Sequence, residues 1–173
     1  MAKFTLKNVR LSFPSLFQKA VFNGTETKFE ATFLLNKEEH ADIIKVNVHE
    51  AAAVLGLTSD QIADPAAAAQ LLHDRREHGW LTVVTAGALG AWAIADGPMY
   101  HAVPGDHGAF PVGSGDSFLA GLVTGLKESS DNLAFSIALA TAAASANAQV
   151  PGVAVFDAVN ARDLSAHVEV REL

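Results

Sequence analysis

The chain has 173 residues, half of them apolar, a formal net charge of −7 and no cysteine. That length supports one domain with a packed core, and the absence of thiols excludes disulfides and thiolate chemistry. No apolar run reaches the roughly 18 residues of a membrane span, and residues 1–7 lack the apolar centre of a signal peptide, so a cytoplasmic protein without membrane contact is expected.

The charge is unevenly spread. Residues 1–45 carry +2, residues 46–173 carry −9, and six of the ten Phe precede position 45. A joint change of charge sign and aromatic content divides the chain at 44/45. In the first part, residues 3–13 alternate apolar and polar with one slip at Lys7 and Asn8, which predicts a strand with a bulge. Asn23 and Gly24 signal a turn, residues 28–35 a second strand, and Asn36 with Glu39 the start of a short helix. This opening resembles a family of phage single-stranded DNA-binding proteins with an OB-type fold. The resemblance implies weak binding of single-stranded DNA, with lysines such as Lys3, Lys7 and Lys28 tracking phosphates and Phe rings stacking on bases. The alternative puts Phe4, Phe13, Phe29 and Phe33 on the inner faces of strands. Two or three strands do not close a five-stranded barrel, and the acidic remainder opposes a polyanion.

From Lys45 the pattern changes. Asn47 and Glu50 have the spacing of a capping box, and Thr58 and Gln61 repeat it. Asp64 and Pro65 open a helix over residues 66–78 that ends at Gly79, with Leu71 and Leu72 inward and Asp74, Arg75, Arg76 and Glu77 in solvent. Residues 80–85 read as a buried strand, 91–95 and 99–103 as further strands, and Asp96-Gly97 as a turn. Thr85, Gly87 and Gly90 form a glycine-rich connection that is neither a P-loop nor a dinucleotide fingerprint. A helix is expected over residues 116–127, and an apolar, hence buried, one over 131–148. Pro151-Gly152 breaks the chain, Phe156-Asp157 opens a short helix, and residues 167–170 are a last strand. The seven His lack metal-ligand spacing and read as surface or capping groups.

The richest chemistry lies at Gly113, Ser114, Gly115 and Asp116. A tight glycine-flanked loop running into a helix offers free N–H groups and the positive end of the helix dipole, an anion site. Asp116 in the first turn is either a proton acceptor for an attacking hydroxyl or simply a stabilising N-terminal charge. Residues 112–121 resemble the C-terminal signature of the pfkB (ribokinase-like) carbohydrate kinases. The wording is closest to the 1-phosphofructokinase and tagatose-6-phosphate kinase branch, although Pro111 and Val112 stand where many members have Thr or Ser. Lys45, Asn47 and Glu50 are similar to the family's Lys-Pro-Asn-x-x-Glu segment, with Val46 in place of Pro, and Thr85, Gly87 and Gly90 to its Thr-x-Gly-x-x-Gly turn.

The resemblance implies ATP-dependent phosphoryl transfer to a sugar or sugar phosphate hydroxyl. Asp116 would be the catalytic base, and the backbone of Gly113, Ser114 and Gly115 the anion hole. Asn47 and Glu50 would organise Mg2+. Lys45, Thr85, Gly87 and Gly90 would lie along ATP, and Asn147 would line the adenine pocket; as a lone Asn it is equally a helix C-cap. The implied fold is α/β: the C-terminal part of a ribokinase-like three-layer α/β/α sandwich over residues 45–173, with a β-hairpin-containing extension over 1–44. The family's N-terminal half, with its sugar-binding residues and lid, has no visible counterpart here. The expectation is therefore a fusion whose nucleotide side is encoded but whose catalysis is very weak or nil. The expected partners are a nucleotide, a sugar phosphate where a sugar site exists, and further copies meeting through an unpaired sheet edge.

Overall fold

The computed structural model describes residues 42–76 and 79–173. The strands expected at 3–13 and 28–35, the helix after Asn36 and the DNA-binding reading lie outside the described residues. So does all but the last part of the region before the 44/45 boundary.

Five strands form one sheet in chain order: β1 (Ile43–Asn47), β2 (Leu81–Thr85), β3 (Ala91–Ile94), β4 (Met99–Val103) and β5 (Glu169–Glu172). β1 and β2 are parallel, and every other pairing is antiparallel. The parallel pair needs a crossover, supplied by α1 (Val48–Leu55) and α2 (Pro65–Arg75). The antiparallel meander β2–β3–β4 then leads to α3 (Ser114–Glu128), α4 (Leu133–Gln149) and α5 (Ala158–Ser165).

Period-two alternation builds the three layers. Val83, Ala91 and Ala93 face one core with Phe118, Leu122, Leu126 and Ile137 of α3 and α4. Val84, Trp92 and Ile94 face the other with Ala51, Leu55, Ala68, Ala69 and Leu72 of α1 and α2. The sheet is therefore buried on both sides, which is why residues 80–85 read as a buried strand. The expected three-layer α/β/α arrangement holds over the described residues. Helices α3 and α4 pack closely because Gly121 and Gly125 carry no side chain: a Cβ there would come within 2.8 Å and 2.6 Å of the backbone of Ala140 and Ser136. Edge strand β5 is Glu-Val-Arg-Glu and largely exposed, a charged edge that discourages pairing with another sheet.

Most helix starts follow their caps. The Asn47–Glu50 box is closed in both directions, Asn47 N–H donating to Glu50 Oε2 at 2.8 Å and Glu50 N–H to Asn47 Oδ1 at 2.9 Å. Asp64 caps α2 with Pro65 at its first position, and Asp157 caps α5. Four expectations need correction. Thr58 and Gln61 do bond, but they close a single 3-10 turn (Ser59–Gln61), because the chain restarts at the Asp64 cap. Helix α2 ends at Arg75, where the Arg76 backbone turns extended and its guanidinium reaches back to His73 O at 2.7 Å. Leu72 is inward at 5% exposed but Leu71 is 44% exposed; adjacent helical residues point about 100° apart and cannot share one narrow face. Strand β5 begins at Glu169 rather than His167, because His167 N–H still bonds Leu164 O at the end of α5.

His73 also departs from the surface reading: it is 7% exposed, and among the described residues its Nδ1 has no partner. Burial, and then the nearby Arg76 charge, hold its pKa below the ordinary value, against smaller opposing effects of Asp74 and Asp96. Below pH of about 6.5 the unfolded chain takes this proton before the folded one does. Stability is therefore expected to fall as pH drops from about 6.5 towards the lower folded-state pKa. His73→Leu should flatten that part of the curve, as read by urea unfolding at pH 7.5, 6.5 and 5.5.

Candidate active site

The C-terminal ends of β1, β2 and β4 meet the N-terminus of α3, a common ligand position in α/β sheets. A cleft of about 310 Å³ opens there, within the range of small-molecule sites. Lys45, Asn47, Thr85, Gly87 and Gly90 line one side, and Ser114 and Gly115 another. The chain folds this way locally for three reasons. Asn47 and Thr85 are register partners at the ends of parallel strands. The turn at residues 85–90 closes on itself through Ala86 N–H to Gly90 O and Gly90 N–H to Gly87 O. His101 of β4 then pins that turn from outside, its ring stacked on Trp92 at 4.1 Å and its Nε2 2.8 Å from Leu89 O.

At the head of α3, Gly113 takes a left-handed conformation (φ 85°) and supplies no side-chain cap. Ser114 N–H bonds Pro111 O and Ser117 N–H bonds Gly113 O, while among the described residues no acceptor meets the N–H groups of Gly115 and Asp116. Lys45 reaches this spot from β1: its Nζ lies 3.0 Å from the point where a Cβ on Gly115 would sit. Burial lowers the Lys45 pKa, and the carboxylates of Glu50 and Asp116 work against that shift. A partly desolvated ammonium beside two open N–H groups at a helix N-terminus is an anion site from two directions. Asp116 is exposed and Glu50 half-buried; neither lines the cleft, yet both act on Lys45.

Asn147 sits elsewhere. It is fully buried and lies outside the cleft lining. Its Nδ2 donates to Val112 O at 2.9 Å and Ser114 Oγ at 3.2 Å, and its Oδ1 accepts from Ala154 N–H at 2.8 Å. It is not the cap of α4, which is Val150. Instead it ties the loop entering α3 to the loop after α4, where Ala154 holds a positive φ of 56°. Asn147→Ala is expected to cost about 2–4 kcal/mol, since it leaves buried groups unpaired; the urea unfolding midpoint checks this.

Reading the sequence alone missed the remaining walls. The loop at residues 104–111 contributes Asp106, His107 and Gly108, and α4 contributes Thr141, Ala144, Ser145 and Ala148. The loop is fastened by Ser145 Oγ donating to Asp106 O and by Phe110 N–H donating to Ala148 O. A Cβ on Gly108 would fall 1.9 Å from Ala148 C, so the close approach requires glycine. The signal available was the spacing 141, 144/145, 148, a stripe of small residues on one face of an otherwise buried helix. Among the described residues there is no cluster of three metal-ligating side chains, and no helix is long and apolar enough to cross a membrane.

Residues 25–158 match the family described as "pfkB family carbohydrate kinase". The match begins twenty residues before the compositional boundary at 44/45. Three solved structures place the fold among known proteins. A Staphylococcus aureus protein provisionally assigned as a phosphofructokinase is 26% identical, with TM-score 0.65 over 78% of this chain and 42% of that one. Phosphofructokinase-2 from Escherichia coli, in complex with potassium, is 22% identical, with TM-score 0.63 over 74% and 41%. Ribokinase from Thermotoga maritima is 18% identical, with TM-score 0.61 over 72% and 42%. The fold is ribokinase-like, and the chain spans about two fifths of the length of these structures. A comparison with curated protein sequences finds no match.

Proposed function

The chain belongs to the pfkB family of carbohydrate kinases, and from that premise we propose that it binds ATP in the cleft and carries the nucleotide side of a phosphoryl-transfer site for a sugar phosphate hydroxyl. One observation carries this reading: the Lys45 ammonium and the open N–H groups of Gly115 and Asp116 converge on one spot at the head of α3. A phosphate chain is the ligand whose charge and oxygens match that arrangement.

The chemistry follows from charge. A phosphoryl group in transfer spreads negative charge over its oxygens, and preformed donors that need no reorganisation stabilise it. The N–H groups of Gly115 and Asp116 and the Lys45 ammonium would serve as those donors. The Asp116 carboxylate, on the exposed side of the same turn, would accept the proton of an attacking hydroxyl. Thr85, Gly87 and Gly90 would border the phosphates and ribose, and Asn147 would act indirectly by holding Val112 and Ser114.

The oxygen donors of Asn47 and Glu50 fit Mg2+, a hard cation that needs few protein ligands. Asn47 lines the cleft, and Glu50 uses only Oε2 in the capping box. Bound there with the nucleotide, Mg2+ would offset phosphate charge. The acceptor reading rests on the family and on Escherichia coli phosphofructokinase-2, which has also been solved with fructose-6-phosphate. Transfer by this chain alone is proposed to be very slow, because no sugar-binding half is recognisable in its sequence.

Calorimetric titration with ATP and Mg2+ tests the nucleotide reading: saturable binding is expected, and its absence overturns it. A coupled assay with fructose 1-phosphate or tagatose 6-phosphate tests the rest. Turnover at ordinary enzyme rates would overturn the proposal that the acceptor side is incomplete.

A further inference from the structure

Asp106 and Ser145 have a cavity on each side. They line the cleft, and with Ala142, Leu164, His167 and Val168 they also line a second cavity of about 380 Å³. It lies between the start of the loop at residues 104–111, α4, and the link from α5 to β5. Gly105 brings loop and link together: a Cβ there would fall 2.7 Å from His167 O, so a side chain would push them apart.

What this cavity can hold follows from where its protons are. Ser145 Oγ donates its one proton to Asp106 O at 2.8 Å, so towards a ligand it can only accept. The Asp106 carboxylate accepts at Oδ1 from His107 N–H at 2.7 Å and at Oδ2 from Gln149 Nε2 at a long 3.4 Å, which leaves lone pairs free. His167 Nδ1 lies 3.2 Å from Asp163 O. A carbonyl oxygen cannot donate, so that nitrogen carries the ring proton, and Nε2 of the neutral imidazole is an acceptor. All three polar side chains on the wall thus offer acceptors and none offers a hydrogen. The side chains of Ala142, Leu164 and Val168 make the rest apolar.

This combination selects the ligand by elimination. An anion would meet a carboxylate and no side-chain donor. A metal ion would find too few ligands, since among the described residues no three of His, Cys, Asp and Glu cluster, and it would leave the apolar wall unused. A protonated amine brings three N–H donors and a charge opposite to that of Asp106. A short alkyl tail on that amine covers Leu164 and Val168. The −9 balance of residues 46–173 also favours a cation.

We propose that this second cavity binds a small organic cation, a primary ammonium held by Asp106, Ser145 and His167 with a short apolar tail against Leu164 and Val168. The site is separate from the anion site at the head of α3 and does not depend on the ATP reading of the cleft. The test titrates n-butylammonium chloride into isotope-labelled protein, with sodium chloride holding the ionic strength constant. Mildly alkaline buffer favours the neutral imidazole. The amide resonances of Asp106, Ser145 and Val168 are followed by NMR, and n-butanol, similar in size but uncharged, is the control. Saturable shifts are expected, with a dissociation constant on the order of 1 mM, a fragment-sized affinity. n-Butanol is expected to bind about tenfold more weakly, and Asp106→Asn, which keeps the shape and removes the charge, to weaken the amine about fivefold or more. Leu164→Trp fills the cavity from α5 and is expected to abolish the saturable shifts; Val168→Phe narrows the same cavity and takes its place if Leu164→Trp does not fold. The absence of saturable shifts overturns the proposal, as does equal binding of n-butanol or an Asp106→Asn variant that binds the amine unchanged. Full binding in the cavity-filling variant would place the amine elsewhere and overturns it too.

Discussion

Lys45→Met is expected to weaken ATP binding about 10- to 100-fold. A hydrogen bond to a charged group contributes about 1.5–3 kcal/mol, and each 1.4 kcal/mol is about tenfold in affinity. The methionine keeps most of the apolar stem and removes the ammonium that lies beside Gly115. Burial already disfavours the Lys45 ammonium in the empty protein, so the ligand-free unfolding midpoint should hold or rise. A binding loss with an intact midpoint separates a ligand contact from a folding defect. Asp116→Asn is expected to act with the opposite sign on binding. It removes an exposed negative charge beside the anion site, so ATP should bind up to about fivefold more tightly, in line with the ~0.2–1 kcal/mol of a solvent-exposed charge pair. Any residual transfer should disappear with the proton acceptor. Weaker ATP binding in Asp116→Asn would contradict the placement of the phosphates at the head of α3. Calorimetry on the three proteins at one ionic strength decides both.

Gly90→Ala is expected to destabilise the protein by about 3–5 kcal/mol, a large part of the ~5–15 kcal/mol that holds a typical domain together. Gly90 has φ 93° and ψ −146°, a region open essentially to glycine. A Cβ there would lie 2.0 Å from Ala102 O. That carbonyl belongs to β4, which is locked to β3 through the Ala91–Ala102 register, so it cannot give way without breaking the ladder. Gly87, three residues earlier in the same turn, provides the contrast. Its φ is 55°, and a Cβ there would meet nothing within 4 Å, so Gly87→Ala should cost only about 1–2 kcal/mol from backbone strain. Urea unfolding of the two variants tests the difference; equal effects would mean that the turn yields more than the register allows. Gly90 borders the cleft, yet its lack of a side chain answers to strand β4 rather than to a ligand.

These cases mark how far the sequence could be read. Asn47–Glu50, Asp64–Pro65 and Asp157 were legible because a cap and its helix lie within a few residues, and the bonds involved are local. The strands at residues 81–85 and 91–94 were legible because a strand buried on both faces reads as a short, largely apolar run between turn signals. The glycine-flanked loop before α3 was legible because its residue types are those an anion site needs, and their order matched that of a known family. Lys45, Asn47, Thr85, Gly87, Gly90, Ser114 and Gly115, named from those local patterns, do line one cleft.

What only the tertiary structure decided involves residues far apart in the chain. Asn147 read as a cap or a ligand contact because its partners, Val112 and Ser114, lie more than thirty positions away. His73 and Leu71 were misassigned because a helix of moderate amphipathicity does not declare which face meets the sheet. The loop wall at Asp106 and Gly108 carries no sequence signature, and the small-residue spacing at 141, 144/145 and 148 does not say what it faces, since alanine, glycine and threonine are placed there by the space left between a sheet and a neighbouring helix. By itself the sequence determined the family, the capped helix starts and the chemistry at the head of α3, because each rests on short-range pattern. Tertiary packing decided which of those groups share a cleft and which glycine the fold cannot replace, because burial and close approach arise only when distant segments meet.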